Sequence, residues 1–166
     1  LYRDRLAALE RVLERQRATN TAQSEQDVLA FSRSGERMLI VLFSVREGKL
    51  SAAQNIEVEA AESDTVGEVL SSFLSQYYQD AIPPAELLLP VEPEDKGVLT
   101  EQLTGRRGKK ITLHVPQRGD KKKLVEMASR NAEERLARML QKEEGEISRT
   151  SGALAQLAAA LELPSI

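Results

Sequence analysis

The sequence predicts an α/β domain built on a mixed sheet, and two observations carry that prediction. The apolar residues change period along the chain. Unbroken or two-residue-alternating runs of strand length come first, and stripes at helical spacing separate the later strands. The connections change as well. Short turns join the first three strands, as an antiparallel meander requires, and helical segments join the rest, as parallel crossovers require. After an N-terminal helix and a polar linker, the order reads β-β-β-α-β-α-β-α, a mixed sheet covered by helices.

Residues 1–17 predict one amphipathic helix in which Tyr2, Leu6, Leu9, Val12 and Leu13 recur at helical spacing between arginines and glutamates. Such a stripe has to be buried, either on the body of this chain or as half of a helical hairpin that docks a partner. Residues 18–25, rich in Thr, Asn, Gln and Ser, predict a linker. Val28 to Arg33 is the first strand, with Ser34-Gly35 as the turn after it. Met38 to Val45 is the second, and its run Met38-Leu39-Ile40-Val41-Leu42-Phe43 predicts burial on both faces. Glu47-Gly48 turns the chain into a third strand from Lys49 through Ile56 and Val58, whose alternation suits a strand nearer an edge.

Asp64 is the expected N-cap of a helix beginning at Thr65, with Glu68 in its first turn and Val66, Val69, Leu70, Phe73, Leu74 and Tyr77 on its apolar face. Pro83-Pro84 ends helical structure, and Glu86 to Leu89 is a short buried strand. A helix from about Asp95 to Leu103 is expected to close at Gly105, followed by a fifth strand from Lys110 to Val115. Asp120 opens a long helix with Leu124, Ala128, Ala132, Leu136 and Met139 on one face, and Gly145 is the expected interruption. Leu154, Leu157, Ala158 and Leu161 form a last stripe before Pro164. The expected domain thus spans 26–142, with 143–166 as a helical connector. Both ends of the sequence read as cuts within a longer polypeptide.

Composition narrows the chemistry. Apolar residues make up 41% and charged residues 30%, ordinary for a globular domain, and no apolar run approaches membrane-spanning length. With no cysteine and one histidine, His114, thiolate metal sites, disulfides and most Ser-His arrangements are excluded. That composition suits a cytoplasmic protein. The net charge of −3 conceals a local excess. Arg106, Arg107, Lys109, Lys110, Arg118, Lys121, Lys122 and Lys123 fall within one short stretch opposed there by Asp120 alone, while acidic residues gather at 57–68, 92–101 and 143–146.

The element order is that of the ribonuclease H fold. Several stretches also resemble one family, the UvrC subunits of the excinuclease ABC system. Tyr2 to Gln16 resembles the second helix of that family's UVR motif, and Gln26-Asp27-Val28-Leu29-Ala30 resembles the strand after it. Phe73 to Tyr78, Ile82 to Pro90, Pro116 to Leu124 and Ser129 to Ala132 match in the same order, the stretch Pro116-Gln117-Arg118-Gly119-Asp120-Lys121-Lys122 most specifically. The resemblance implies nucleotide excision repair within the SOS response, with DNA, UvrB and other UvrC domains as partners. In that family a GIY-YIG domain makes one incision, and a C-terminal ribonuclease H-like domain, followed by helix-hairpin-helix elements, makes the other. This chain resembles the section between the two nucleases. It contains neither a GIY-YIG sequence nor the Cys-Phe-Asp-Ile-Ser-type strand that opens the family's active C-terminal domain. Divalent metal is expected in the parent family's nuclease domains and no cofactor in this chain.

Ribonuclease H-like nucleases hold two divalent metals on clustered carboxylates, one in the middle of the first strand and another near the end of the fourth. Here the first strand reads Ala30-Phe31-Ser32 at its middle, and a hydroxyl is a poor substitute for a bridging carboxylate. Asp27 is expected to precede the strand. Glu92, Glu94 and Asp95 follow the fourth strand and are expected in the first turn of the next helix. No catalytic or metal-binding residue is assigned on this reading. With three Phe, three Tyr and no Trp, recognition of single strands by base stacking is disfavoured. Three readings stay open: a non-catalytic scaffold that binds DNA phosphates through the eight basic residues, a protein-interaction module that docks through Tyr2, Leu6, Leu9, Val12 and Leu13, and a cryptic metal nuclease using Glu92 or Asp95.

Overall fold

A computed structural model describes residues 7–14 and 25–160. Residues 7–14 form helix α1. Strands β1 (Glu25–Ser34), β2 (Arg37–Arg46) and β3 (Lys49–Glu59) are followed by α2 (Val66–Tyr77), β4 (Glu86–Leu88), α3 (Lys96–Arg107), β5 (Thr112–His114) and α4 (Gly119–Ala160). The sheet order is β3-β2-β1-β4-β5. β2 runs antiparallel to β1 and β3, and β4 runs parallel to β1 and β5. This is the mixed ribonuclease H-like arrangement the element order predicts.

Strand β2 explains why the sheet needs helices on both sides. Met38, Ile40 and Leu42 enter one core with Leu29, Leu87 and Leu113, closed by Leu70 and Leu74 of α2 and Leu99 and Leu103 of α3. Val41, Phe43 and Val45 enter the other with Val28, Ala30 and Leu88, closed by Leu9, Val12 and Leu13 of α1 and Leu124, Val125 and Ala128 of α4. Each strand residue alternates between the two layers, as a pleated strand dictates. Fully burying a Leu, Ile, Val, Phe or Met side chain stabilises a fold by about 1.5–3 kcal/mol, so β2 is a major contributor.

Several boundaries differ from the sequence expectation. Thr65, not Asp64, caps α2: its hydroxyl accepts from the Glu68 amide, and Glu68 reaches back to the Thr65 amide. Asp64 instead accepts from the Ala61 amide in the preceding turn. Helix α3 begins at Lys96 and runs through Gly105 to Arg107, and Gly108 closes it at φ +80°. Left-handed backbone is where glycine has its advantage, whereas a mid-helix glycine is only mildly unfavourable, which is why Gly108 and not Gly105 ends the helix. Gly145 does not interrupt α4, which continues for 42 residues.

Packing divides the chain into two units, Leu1–Glu133 and Glu134–Ile166. The described part of the second unit is α4 from Glu134 onward, where Ile147, Leu154 and Leu157 are exposed. The expected linker falls, apart from Glu25, outside the described residues, as do Tyr2, Leu6, Leu161 and Pro164.

Candidate nucleic-acid interface

Two carboxylates are buried in the sheet, one toward each helical layer. Asp27 lies inside β1 rather than ahead of it and is 1% exposed. Its Oδ1 accepts from Nη1 of Arg46 on β2 at 2.9 Å, and its Oδ2 accepts from the hydroxyl of Tyr78. Burial, followed by the nearby Asp27 charge, pushes the Tyr78 hydroxyl well above the ordinary phenol range, so the phenol remains a donor. The sequence expectation failed here because the cation that makes a buried Asp tolerable comes from β2, 19 positions along the chain. Glu86, the first residue of β4, is also buried. Its Oε1 accepts from Gln26 Nε2 at 2.7 Å and its Oε2 from Lys121 Nζ at 2.9 Å.

The eight basic residues therefore divide by what they already do. Arg106 donates to the carbonyls of Tyr78 and Gln79, satisfying carbonyls at and beyond the C-terminal end of α2. Arg107 donates to Glu25 Oε2 at 3.3 Å and to the Pro83 carbonyl at 3.2 Å. Lys121 is tied to Glu86. Lys122 approaches Glu126 at 4.0 Å, an exposed i,i+4 pair of little strength. Among the described residues Lys109, Lys110, Arg118 and Lys123 carry no carboxylate partner, and all four are exposed. The arginine and lysine that are held, Arg107 and Lys121, reach Glu25 and, through Glu86, Gln26, which are consecutive positions at the start of β1.

The other candidate residues lie elsewhere. Leu9, Val12 and Leu13 are buried against this chain's own sheet and α4. Tyr2 and Leu6 lie outside the described residues. Glu92, Glu94 and Asp95 precede α3 instead of forming its first turn, and Asp95 takes a left-handed N-cap conformation without a side-chain cap. The segment is drawn to α2, where the Glu94 amide donates to the Gly67 carbonyl at 3.0 Å and a Cβ on Gly67 would sit 3.0 Å from the Glu92 carbonyl. Glu92 pairs with Lys96, and the Glu68 charge raises the Glu94 carboxyl above its ordinary value. Among the described residues no three His, Asp or Glu side chains are grouped so as to hold a metal ion. Tyr77 stacks on Phe73 with ring centroids 5.5 Å apart and accepts from Gln54 through its hydroxyl, so it belongs to the α2 layer. His114 is exposed at the end of β5. Among the described residues no helix is long and apolar enough to cross a membrane.

Residues 25–139, from the first strand well into α4, match the model of the UvrC ribonuclease H-like domain. The chain belongs to the UvrC family. Among curated UvrC relatives, the UvrABC system protein C of Desulforudis audaxviator is 42% identical over 97% of this chain and 26% of its own length. That of Alkaliphilus oremlandii is 35% identical over 99% of this chain and 27% of its own. The corresponding protein of Symbiobacterium thermophilum is 35% identical over 99% and 26%. This UvrC-family chain thus spans about a quarter of the length of the curated relatives it matches. A solved protein of actin-like ATPase fold from Bacteroides thetaiotaomicron aligns with 68% of this chain and 41% of its own at 16% identity and a TM-score of 0.35, too distant to carry an argument.

Proposed function

We propose that this chain is a non-catalytic, DNA-binding scaffold within a UvrC subunit of the bacterial nucleotide excision repair endonuclease, supporting incision made by other domains of that protein. The observation that carries the reading is the exposed set Lys109, Lys110, Arg118 and Lys123, which have no carboxylate partner among the described residues, together with Lys122, whose one carboxylate neighbour, Glu126, is an exposed pair at 4.0 Å. Exposed ammonium and guanidinium groups without neighbouring aromatics suit phosphates, not bases, and a repair protein has to accept any sequence. The buried carboxylates Asp27 and Glu86 support the non-catalytic half of the reading, because each is already occupied by a protein cation and a neutral donor.

Docking of a partner such as UvrB on the α1 stripe is less favoured, because Leu9, Val12 and Leu13 are covered by the chain's own sheet. Fluorescence anisotropy of this chain with duplexes of unrelated sequence tests the proposal. Five phosphate contacts give an affinity that falls with salt at a log–log slope of about −4.5, alike for every sequence. No measurable affinity at low salt would overturn the DNA-binding half. Magnesium- or manganese-dependent cleavage lost on Glu92→Gln or Asp95→Asn would overturn the non-catalytic half.

A further inference from the structure

We infer that the two basic clusters, 106–110 and 118–123, form one site crossed by a single duplex backbone, joined at the start of β1 and β4 through Glu25 and Glu86. The inference rests on the DNA-binding reading and goes beyond it, since eight cations in one stretch of sequence do not by themselves say whether they make one surface or two.

The joint is made of contacts. Arg107 ends α3 on one side of the sheet and holds Glu25 at 3.3 Å. Glu25 precedes Gln26, whose amide donates to Glu86 at 2.7 Å. Glu86 in turn holds Lys121, in the first turns of α4, at 2.9 Å. Gln26 and Glu86 are paired residues of β1 and β4, and Glu86 is paired with Thr112 of β5. Lys110 stands two residues before Thr112, so its Cα lies within about 12 Å of the Cα of Glu86, from strand spacing and chain geometry. Along the duplex axis, where each strand carries a phosphate about every 3.4 Å, that distance spans about three to four phosphates.

Arg107 and Lys121, one cation from each cluster, are therefore anchored at the same end of the parallel strands. Glu25 and Glu86 are positioning residues: each neutralises the innermost cation of a cluster and fixes it to the sheet. Lys109 and Lys110, just after Arg107 in sequence, are exposed, and so are Arg118, Lys122 and Lys123, which bracket Lys121. A backbone laid across this end meets both clusters in one pass. Exposed aromatic side chains are not among the elements that form it, so the expected ligand is the phosphate backbone of duplex DNA without base preference.

Isothermal titration of this chain with a ten-base-pair duplex at low salt decides between one site and two. One duplex per chain is expected. Lys109→Ala with Lys110→Ala, and separately Lys122→Ala with Lys123→Ala, should each weaken that single event and flatten its salt slope by about 1.8, and the four substitutions together by about 3.6. Circular dichroism checks that each variant is folded, which these exposed positions favour. Two binding events per chain, each removed by only one pair of substitutions, would overturn the single site while leaving DNA binding intact. Absence of any binding would sink the DNA-binding reading itself, and the inference with it.

Discussion

Asp27 and Glu86 are the same functional group buried to nearly the same extent, 1% and 5% exposed, yet they organise different parts of the molecule. Asp27 is served by Arg46 from the neighbouring strand and by Tyr78 at the end of α2, so its contacts stay within the sheet and the layer that closes it. Glu86 is served by Gln26 from the neighbouring strand and by Lys121 from α4, so its contacts bind a surface cation cluster to the sheet. A buried carboxylate is tolerable wherever one cation and one neutral donor reach it. Which element supplies the cation decides what the carboxylate holds in place.

The largest expected effect comes from breaking the first arrangement. Asp27→Ala leaves the Tyr78 hydroxyl unpartnered and the Arg46 charge uncompensated, and should lower stability by about 3 kcal/mol in urea unfolding. The loss is limited because Arg46 is 35% exposed and keeps its bonds to the Gln26 and Val45 carbonyls. Glu86→Ala should cost about 2 kcal/mol by the same measurement, since Lys121 can turn to solvent while Gln26 loses a buried acceptor. If the two costs came out in reverse order, the contrast between a closed and a surface-linked carboxylate would fail.

A smaller effect sharpens the comparison by pH. The Tyr78 hydroxyl is raised in the folded state, so its contribution is fully present below the ordinary phenol value and declines as pH rises from about 10 upward. Tyr78→Phe should cost about 1–2 kcal/mol at neutral pH and weaken the alkaline loss of stability in thermal melts. The smallest effect lies away from both carboxylates. Glu94 is raised by Glu68, so the pair opposes folding when both are ionised and is relieved as pH falls into the carboxylate range. Glu94→Gln should raise the melting temperature slightly at pH 7, and the gain should vanish in acid.

Most of the fold was legible because its signals are local. Six consecutive apolar residues, Met38 to Phe43, announce a doubly buried strand, and the Thr65–Glu68 spacing is that of a capping box even though Asp64 beside it is the stronger N-cap type. The start of β1 is not legible in the sequence because Gln26 and Asp27 are polar, and nothing nearby shows that Glu86, Arg46 and Tyr78 will satisfy them. The end of α3 is not legible either, because Gly105 and Gly108 look alike until backbone φ separates them. The basic residues could be read as candidates, but Arg106, Arg107 and Lys121 also carry structural contacts, and a sequence cannot show which cations are already engaged.

The double-sided packing of β2 has a kinetic consequence. If either helical layer opened locally, the strand would remain covered by the other layer and paired to β1 and β3. Its backbone amides should therefore exchange with deuterium only when the whole domain unfolds, reporting the global free energy while amides at the helix ends exchange through smaller, independent openings.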